Sequence, residues 1–343
     1  MVPIIIDQGN IEMRNVLVTG GAGYVGHVLT PKLLQAGYKV TVYDIMYYGC
    51  RLEEHTNLKV IEGDIRDTAK LAEAFKGVDI VLHLACISND ASFDLDPKLS
   101  ESTNYECFEP LVAAAKKAGV KRFVYCSSSS VYGVSEAKDV TEEHPLVPLT
   151  LYNKFKGLCE PILFSYQDKS FVCVTIRPAT ICGYSPRQRL DLSVNILTNH
   201  AVNKNSITVF GGEQLRPNLH IQDMCNAYQT MMEAPVEKIA GQVFNIGFQN
   251  LKIMDIAHMV KRIVEKTFPE KEDIPITVTD TDDIRSYHIN SDKIRRVLGF
   301  EPKFTVEDAV YDLCRAFKEG KLPNSINEDI YYNIRTMKAI SAK

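Results

Sequence analysis

The chain of 343 residues has no tryptophan, no large excess of one charge and no long hydrophobic run. Its 39 Lys and Arg residues nearly balance 43 Asp and Glu residues, for a formal net charge of -4. General binding to nucleic acid or to a membrane surface usually shows as a basic excess, so neither partner is expected. The longest apolar runs, such as Val78–Cys86, fall well short of the roughly 20 residues that a membrane helix needs.

Cysteine and histidine at metal or redox spacing are also missing. The nine cysteines are odd in number and scattered, without a CxxC pair, and the eight histidines show no metal-ligand spacing. We therefore expect free thiols, no metal site and a reducing compartment. The first twelve residues lack the charged start and long apolar stretch of a secretory signal. By elimination, these features predict a cytoplasmic protein.

The first half of the chain alternates short β-branched runs with helical patterns. Strands that are apolar along their length and separated by helices predict a parallel sheet covered on both faces. The expected fold class is α/β, with a doubly wound parallel-sheet domain. The strands are predicted at Asn15–Thr19, Lys39–Tyr43, Leu58–Glu62, Ile80–Leu84 and Arg122–Ser127, and the helices at Tyr24–Ala36, Thr68–Lys76 and Asn104–Gly119.

The pattern changes after Arg177. An amphipathic segment, Leu192–Val202, is followed by a helix with apolar residues at helical spacing, Met254–Phe268. Thr305–Asp308 resembles a capping box that opens a last core helix. These features predict a second, smaller domain of mixed α/β structure. The predicted division is a first domain over 14–184, a second domain mainly over 185–325 with some segments returning to the first, and terminal extensions over 1–13 and 326–343.

A glycine-rich turn, Gly20–Gly26, lies between the first strand and the first helix. Glycine allows a tight turn and lets backbone N–H groups approach a pyrophosphate, which the positive end of the helix dipole also attracts. Asp44 ends the second strand, and no Arg or Lys follows in the next four residues. A carboxylate there accepts hydrogen bonds from the ribose hydroxyl groups of NAD and repels the extra phosphate of NADP. The pattern predicts a dinucleotide site that favours NAD.

Tyr152 and Lys156 stand four residues apart in a helical segment, so their side chains share one helix face. An unperturbed tyrosine has a pKa of about 10, too high for a base at neutral pH, but a neighbouring cation and a charged nicotinamide both favour tyrosinate. The pair alone is more typical of an ordinary surface helix than of a catalytic site. The stretch Ser127–Ser130 follows a strand earlier in the chain. Together with the glycine turn, these residues indicate proton and hydride transfer.

In this order, the glycine turn, Asp44, the serine stretch, Tyr152 and Lys156 resemble the extended short-chain dehydrogenase/reductases. Within them the chain is most similar to the nucleotide-sugar-modifying NAD-dependent epimerase/dehydratase family, of the UDP-glucose/galactose 4-epimerase type. The match covers nearly all of residues 14–320. It implies that 14–184 form a Rossmann domain that binds NAD and that the second domain binds a substrate. The implied cofactor contacts are Gly20, Gly23, Tyr24, Val25, Gly26, Asp44, Asp64, Ile65, Leu84, Ala85, Lys156 and Pro178.

The resemblance also implies catalytic roles. Tyr152 is the expected base, Lys156 its neighbouring cation, and Ser128 the hydroxyl group that hydrogen-bonds the reacting sugar oxygen. The 4,6-dehydratases of the family carry Asp and Glu where this chain has Ser129 and Ser130. Because hydroxyl groups with high pKa values cannot replace a carboxyl pair in eliminating water, dehydration is disfavoured.

The implied substrate is a nucleotide-diphosphate sugar. Arg216 stands in a segment that resembles the family's diphosphate-binding segment, a bidentate task suited to guanidinium. The stretch 185–191 differs from that of the UDP-galactose 4-epimerases, which leaves the base and the hexose or heptose open. The implied substrate contacts are Ser88, Asn89, Ser129, Arg187, Arg189, Asn195, Arg216 and Arg285.

Three functions remain open for these residues. A 4-epimerase would oxidise one carbinol carbon to a transient ketone and return the hydride to the other face. A 4-dehydrogenase or 4-ketoreductase would stop halfway, with a net redox change. A non-catalytic nucleotide-binding sensor or scaffold would not need Ser128, Tyr152 and Lys156, so their presence favours an enzyme. We expect the 4-epimerase. The helices beginning near Pro97 and Leu151 resemble those that pair in family dimers, which implies a homodimer.

Overall fold

The computed structural model describes residues 14–341 apart from 89, 136, 138 and 282–285. Two of the predicted substrate contacts, Asn89 and Arg285, lie outside the described residues, as does the predicted N-terminal extension. Over the described ranges the chain forms one large parallel sheet with helices on both faces, and a smaller lobe that contains two short sheets.

Seven parallel strands form the large sheet, and their order reverses next to the first strand. The described strands are β1 (Asn15–Thr19), β2 (Lys39–Asp44), β3 (Leu58–Glu62), β4 (Ile80–His83), β5 (Arg122–Cys126), β6 (Val172–Pro178), β7 (Thr180–Cys182), β8 (Ile207–Phe210), β9 (Leu215–His220), β10 (Gln242–Ile246), β11 (Gln249–Lys252) and β12 (Ile276–Thr279). The large sheet runs β3-β2-β1-β4-β5-β6-β10. In this register Val18 of β1 lies between Val42 and Leu82. The predicted α/β fold class, a doubly wound sheet of the Rossmann type, is confirmed.

Helices cover both faces of the sheet and fill the smaller lobe. They are α1 (Gly26–Gln35), α2 (Thr68–Ala74), α3 (Asp90–Leu95), α4 (Pro97–Glu101), α5 (Phe108–Lys117), α6 (Leu151–Ser165), α7 (Ser193–Lys204), α8 (Ile221–Glu233), α9 (Val236–Ile239), α10 (Ile253–Thr267), α11 (Asp292–Leu298), α12 (Val306–Lys318) and α13 (Asn333–Ser341). None of these described helices combines the length and the apolar character that crossing a membrane requires.

The large sheet is apolar because both of its faces are covered. Strand β6 is buried over its whole length. One face packs against α1 and α8 through residues such as Leu29 and Tyr228. The other face packs against α5 and α6 through residues such as Phe108 and Leu163. Burial on both sides leaves the carboxyl ends of the strands as the place where polar residues gather.

The smaller lobe has its own core. Strands β7, β9 and β11 form one sheet, β8 and β12 form another, and α7, α10 and α12 pack together beside them. The predicted capping box at the start of α12 is confirmed. Thr305 Oγ1 accepts from the backbone N–H of Asp308 at 3.2 Å, and Asp308 Oδ2 accepts from the backbone N–H of Thr305 at 2.7 Å.

Strand β10 and helix α8 return from the smaller lobe to the large sheet. Strand β10 pairs with β6 and forms the seventh strand. The carbonyl oxygens at the end of α8 accept from the guanidinium of Arg122 on β5, at 2.8 Å for Met231 and 3.0 Å for Ala234. Arg122 is 3% exposed, and burial lowers its pKa to about 10. The domain of the large sheet is therefore built from segments on both sides of the smaller lobe.

One predicted helix, Asn104–Gly119, is interrupted. A wide π-helical turn, Ser102–Glu106, precedes α5, which begins only at Phe108. The amide of Asn104 turns inward, because it accepts from the backbone N–H of Ile87 at 2.8 Å and donates to the carbonyl of Ile87 at 2.9 Å. This side-chain bridge competes with regular helix geometry and ties the turn to the loop after β4.

The C-terminal segment 326–341, predicted as part of a terminal extension, is instead packed against the body of the protein. Tyr331 and Tyr332 belong to a buried cluster with Leu190 and Leu313. The hydroxyl group of Tyr332 donates to the carbonyl of Ser325 at 2.9 Å. Two neighbouring aromatic residues bury enough apolar surface to hold a short segment in place, and the following α13 reaches the functional cavity.

Candidate active site

A cavity of about 420 Å³ lies at the carboxyl ends of the parallel strands, where the sheet order reverses. Open parallel sheets bind ligands at this point because the loops on either side diverge there. The smaller lobe closes the opposite wall through the loop after β7 and through β9. All residues predicted as catalytic or cofactor-binding line this cavity, namely Gly20, Gly23, Tyr24, Val25, Gly26, Asp44, Asp64, Ile65, Leu84, Ala85, Ser128, Tyr152, Lys156 and Pro178.

Two glycines make the turn between β1 and α1 possible. Gly20 has a φ of +72°, and a Cβ there would lie 2.7 Å from the backbone nitrogen of Ala85. A Cβ on Gly26 would lie 2.3 Å from the carbonyl oxygen of Gly21. A larger residue at either position would force the turn apart. The backbone around Gly23 and the start of α1 therefore face the cavity as a cradle that fits a pyrophosphate.

Asp44, at the end of β2, places a carboxylate beside the glycine turn. Its Oδ1 accepts from the backbone N–H of Met46 at 2.9 Å, and its Oδ2 from that of Ala22 at 3.0 Å. Burial raises the pKa of Asp44, and these two N–H donors oppose the rise. Each carboxylate oxygen keeps a lone pair for another donor. The residue therefore fits the ribose hydroxyl groups of a dinucleotide such as NAD.

Asp64 and Ile65 line the same side of the cavity after β3. The carboxylate of Asp64 is engaged by Arg66, whose Nε donates to both carboxylate oxygens, at 3.0 and 2.9 Å. Although burial favours the neutral form, these bonds from Arg66 lower the pKa of Asp64. Arg66 therefore occupies the carboxylate of Asp64, which leaves the backbone of this turn and the side chain of Ile65 for the predicted cofactor contact.

The turn after β5 carries the predicted catalytic serine. Ser128 lines the cavity and precedes the short helical turn Ser129–Tyr132. Its neighbour Ser127 is buried and donates to Oε1 of Glu160 on α6 at 2.6 Å. Glu160 is also paired with Arg177 at 2.6 Å, and both side chains are almost fully buried. Because this buried network is well satisfied, it holds the serine turn firmly against α6.

Helix α6 presents Tyr152 and Lys156 to the cavity. The ammonium of Lys156 donates to the carbonyl of Cys126 at 2.8 Å and lies 5.3 Å from the centre of the Tyr125 ring. Burial raises the pKa of Tyr152, and the Lys156 ammonium opposes that rise. Burial also works against the charge on Lys156, but the anionic forms of Cys86 and Tyr152 outweigh it and raise the Lys156 pKa. Lys156 is therefore a permanent cation beside the phenol.

Arg187 lies on the cofactor side of the cavity. Its guanidinium is 3.7 Å from the centre of the Tyr48 ring, and its Nη2 donates to Oδ1 of Asn333 at 2.6 Å. Arg187 is 3% exposed, and its Nε has no hydrogen-bond partner within the described part of the chain. Burial lowers its pKa to about 10, while Asp44 is among the groups that favour its charge. A buried donor near Asp44 favours contact with the cofactor, whereas the resemblance implies contact with the substrate.

Arg189 and Ser88 meet closer to Tyr152. Arg189 pairs with Asp191 at 3.0 Å, and its Nη1 donates to Oγ of Ser88 at 3.3 Å. Ser88 also accepts from Nδ2 of Asn333 at 2.9 Å. Burial disfavours the charged form of Arg189, but the carboxylate of Asp191 raises the pKa of Arg189, and the ionised form of Tyr152 adds to this rise. The structure thus brings these two predicted substrate contacts together in the cavity wall beside the catalytic helix.

Arg216, on β9, lines the cavity from the smaller lobe. Its guanidinium lies 5.4 Å from the centre of the Tyr287 ring, and its Nη1 donates to the carbonyl of Leu215 at 3.0 Å. The side chain is half-buried, and its guanidinium stands in the wall of the smaller lobe. Ser129, another predicted substrate contact, also lines the cavity but is 2% exposed.

Asn195 lies behind the cavity wall and is fully buried. Its amide accepts from the backbone N–H of Gly183 at 3.1 Å and donates to the carbonyl of Arg189 at 2.8 Å. It also donates to the hydroxyl group of Tyr24 at 3.1 Å, and that hydroxyl group donates to the carbonyl of Gly183 at 2.6 Å. These bonds hold the loop after β7 against the glycine turn. These contacts favour a role for Asn195 in supporting the loop after β7, whereas the resemblance implies that Asn195 contacts the substrate.

The sequence reasoning missed several cavity residues, among them Tyr48, Cys86, Asn333 and Met337. Cys86 directly follows the predicted contact Ala85, and Tyr48 follows the strand that ends in Asp44, so both lie close to recognised motifs. Asn333 and Met337 gave no signal, because a helix near the C-terminus has no local pattern that indicates contact with a distant cavity.

Comparison with known proteins identifies the family. The NAD dependent epimerase/dehydratase family matches residues 16–247. A UDP-glucose 4-epimerase of Lactobacillus helveticus is 28% identical over 321 residues, 86% of this chain and 94% of that protein. A dTDP-D-glucose 4,6-dehydratase of Bos taurus is 28% identical over 327 residues, 90% of this chain and 89% of that protein. The solved structure of a UDP-glucose 4-epimerase from Thermotoga maritima, with UDP-glucose, has a TM-score of 0.80 and 25% identity, and covers 89% of this chain and 99% of that chain. The chain therefore belongs to the NAD dependent epimerase/dehydratase family, and its cofactor is NAD.

Proposed function

We propose that this protein is an NAD-dependent 4-epimerase of a nucleotide-diphosphate sugar, which acts through a transient 4-keto intermediate. The observation that carries the proposal is the shared cavity of Ser128, Tyr152 and Lys156 with the glycine turn, opposite Arg216 of the smaller lobe. The relatives that are UDP-glucose 4-epimerases support the same reaction class. A protein that only bound a nucleotide would not need a phenol beside a buried ammonium.

Proton transfer falls to Tyr152. Its phenolate takes the proton of the sugar 4-hydroxyl group, and the Lys156 ammonium stabilises the phenolate before this transfer. Ser128 hydrogen-bonds the reacting oxygen. When bound, NAD supplies a hydride acceptor that also returns the hydride. Tyr152 then gives the proton back, so the residues end the turnover in their starting state. General acid–base catalysis of this kind contributes about 10² to 10⁴ in rate.

Inversion at C4 requires that the sugar turn while the nucleotide stays bound. Arg216 suits the anchoring task, because a guanidinium binds a diphosphate through several charge-assisted hydrogen bonds. Ser88 and Arg189 stand on the other side of the cavity, near Tyr152, where they can contact sugar hydroxyl groups. An anchor that holds the charged diphosphate at one end, and contacts to uncharged sugar hydroxyl groups at the other, favour rotation without release.

A 4-dehydrogenase or 4-ketoreductase is the second candidate, because it uses the same proton-transfer residues. It would have to exchange its cofactor after each turnover. In this protein the hydroxyl group of Tyr24 donates to Gly183, and the hydroxyl group of Ser185 donates to the Tyr24 carbonyl at 2.7 Å. These bonds close the loop after β7 over the glycine turn. They support a cofactor that stays bound, and therefore the epimerase.

Proteins named 4,6-dehydratases are also among the relatives. Elimination of water across C5 and C6 requires a strong acid and a base at the sugar. This chain has Ser129 and Ser130 at the positions that the resemblance assigns to them. Ser129 is 2% exposed, and Ser130 donates its hydroxyl proton to Asn153. One hydroxyl group that is almost fully buried and one that already donates to Asn153 support epimerisation without elimination.

The experiment begins with the nucleotide that the protein carries. The purified protein is denatured, the released nucleotide is identified, and native protein is incubated with UDP-, GDP-, CDP- and dTDP-sugars. A stereoisomer formed without net change in NADH absorbance supports the epimerase. Accumulating NADH or a 4-keto product supports the dehydrogenase, and a 4-keto-6-deoxy product the dehydratase. NAD bound with no turnover of any sugar nucleotide would favour a sensor or scaffold.

We also propose a cytoplasmic homodimer. All nine cysteines are free, which suits a reducing compartment. Helix α6 exposes Leu151 by 45% and Leu158 by 38%, and Pro161 is exposed on the same face. An apolar stripe of this kind fits pairing of two copies along the helix. Light scattering of the protein and of Leu158→Glu tests this, and a monomer in both cases would refute it.

A further inference from the structure

A chain of polar groups connects Ser128 to Asn153, and none of the roles given above uses it. Ser128 Oγ lies 2.7 Å from Ser130 Oγ, and the Ser130 hydroxyl group donates to Oδ1 of Asn153. All three residues line the cavity, and Asn153 is only 3% exposed. Asn153 follows Tyr152 in the first turn of α6. The chain therefore begins at the residue proposed to bind the reacting sugar oxygen and ends beside the proposed base.

The direction of the hydrogen bonds decides what Ser128 offers to the substrate. A hydroxyl group has one proton to donate and two lone pairs to accept with. Because Ser130 gives its proton to Asn153, the bond between the two serines must be donated by Ser128. Ser128 Oγ also accepts from the backbone N–H of Ser130 at 3.2 Å, so in this direction it presents only its remaining lone pair to the cavity. It can accept from a sugar hydroxyl group but cannot donate to a ketone oxygen, which has no proton of its own.

The amide of Asn153 can reverse the chain. A half-turn of the amide exchanges Oδ1 for Nδ2 with little change in shape. Nδ2 would donate to Ser130, Ser130 would donate to Ser128, and Ser128 would donate to the reacting oxygen. Among the small side chains, a carboxylate can only accept and a methyl group can do neither. An amide therefore supports both directions, one for the alcohol and one for the ketone.

We propose that Asn153 is a positioning residue whose amide sets, through Ser130, whether Ser128 accepts from or donates to the reacting sugar oxygen. The inference rests on the proposed function, because it assigns the switch to the alcohol and keto stages of the same reaction. It also gives Ser130 a task, at a position where the dehydratases that the chain resembles use a carboxylate.

The first test compares Asn153→Asp with Asn153→Ala. The carboxylate locks Ser130 as a donor, so Ser128 cannot donate to the ketone. We expect kcat to fall about 30-fold with KM little changed, as for the loss of one hydrogen bond to a charged group. Asn153→Ala frees Ser130 to donate to Ser128 and should cost only about threefold, as for a neutral hydrogen bond. Because a charge buried at this position can be harmful in itself, the comparison is read on kcat and KM in folded protein and together with the control that follows.

The matched control is the double variant Ser130→Ala/Asn153→Asp. A new negative charge next to Tyr152 could also slow the reaction by raising the tyrosine pKa. If Asn153→Asp acts through Ser130, the double variant is as fast as Ser130→Ala and its pH profile is unshifted. If the double variant stays as slow as Asn153→Asp, with a pH profile moved upward, the inference is overturned.

Ligand binding gives a readout that needs no turnover. The probes are UDP-glucose and dTDP-glucose, which present a 4-hydroxyl group, and their 4-keto-6-deoxy derivatives, which present a ketone. Calorimetry should show that Asn153→Asp binds the alcohols as the wild type does and the ketones about tenfold more weakly, as expected for one lost hydrogen bond. Equal weakening of both classes overturns the inference alone. If the wild type binds no probe and turns over no sugar nucleotide, the proposed function fails and the inference fails with it.

Discussion

The cofactor side and the substrate side of the cavity are built in different ways. On the cofactor side, Gly20, Asp44 and Leu84 each lie at or directly after the end of a strand of one sheet. Hydrogen bonds of the sheet ladder set their positions. On the substrate side, Arg189 lies on a loop, and its guanidinium is held by hydrogen bonds that it donates to the side chains of Asp191 and Ser88.

The difference predicts how each side responds to substitution. A strand end in a buried parallel sheet cannot move without breaking several backbone hydrogen bonds. A loop held by side chains shifts when one hydrogen bond is lost, at a cost of about 1 kcal/mol. Tyr152 and Lys156 lie on α6, which packs against the large sheet. We therefore group this reaction centre with the cofactor side. Substitutions there should lower kcat, and substitutions on the substrate side should raise KM.

The largest effect is expected from Tyr152→Phe. Removal of the hydroxyl group abolishes proton transfer and leaves the ring packing in place, so kcat should fall about 10³-fold. The amount of NAD released on denaturation should stay the same. Turnover assays and nucleotide analysis on one preparation check both points, and retained activity would remove Tyr152 from its role.

Lys156→Met should come next. The ammonium lowers the pKa of the buried Tyr152, so its loss raises that pKa further. Because the base works in its ionised form, activity at neutral pH should fall about 10²-fold and the rising limb of the pH profile should move to higher pH. Lys156→Arg keeps the charge and serves as the control. A slow variant with an unmoved pH profile would contradict the electrostatic role.

Arg216→Ala tests the substrate side. Loss of charge-assisted hydrogen bonds to a diphosphate costs about 2 kcal/mol, so KM for the sugar nucleotide should rise about 30-fold. The value of kcat and the NAD content should change little. Arg216→Lys should recover part of the affinity, since it restores the charge without the bidentate geometry. A fall in kcat at constant KM would contradict the expectation that substitutions on the substrate side act on KM.

The smallest effect is expected from Asn333→Ala. Its amide links Arg187 to Ser88, and both keep other partners or ring contacts in the variant. We expect KM to rise about threefold, the size of one neutral hydrogen bond. An effect as large as that of Arg216→Ala would show that α13 is part of the binding site itself. The substrate side would then include α13 as well as the loop.

Sequence reasoning worked where a residue's task is local. Gly20 and Gly26 are required by the geometry of one turn, which their spacing indicated. Tyr152 and Lys156 share one helix face, but the predicted role of this pair also needed the serine stretch and the family resemblance. It failed where contacts join distant segments. The wide turn at Asn104 depends on the backbone of Ile87, and the inward position of Asn195 depends on Tyr24. No pattern within either segment carries that information.

The return of β10 and α8 to the large sheet has a consequence for folding. A fragment that ends at residue 184 would lack the seventh strand and would expose the edge of β6, a template for pairing with other chains. The same fragment would leave the buried guanidinium of Arg122 without the carbonyl groups that end α8. The first 170 residues of the fold are therefore not an autonomous folding unit in the way their motifs suggest, and the sheet becomes complete only after the chain has formed β7, β8 and β9 of the smaller lobe.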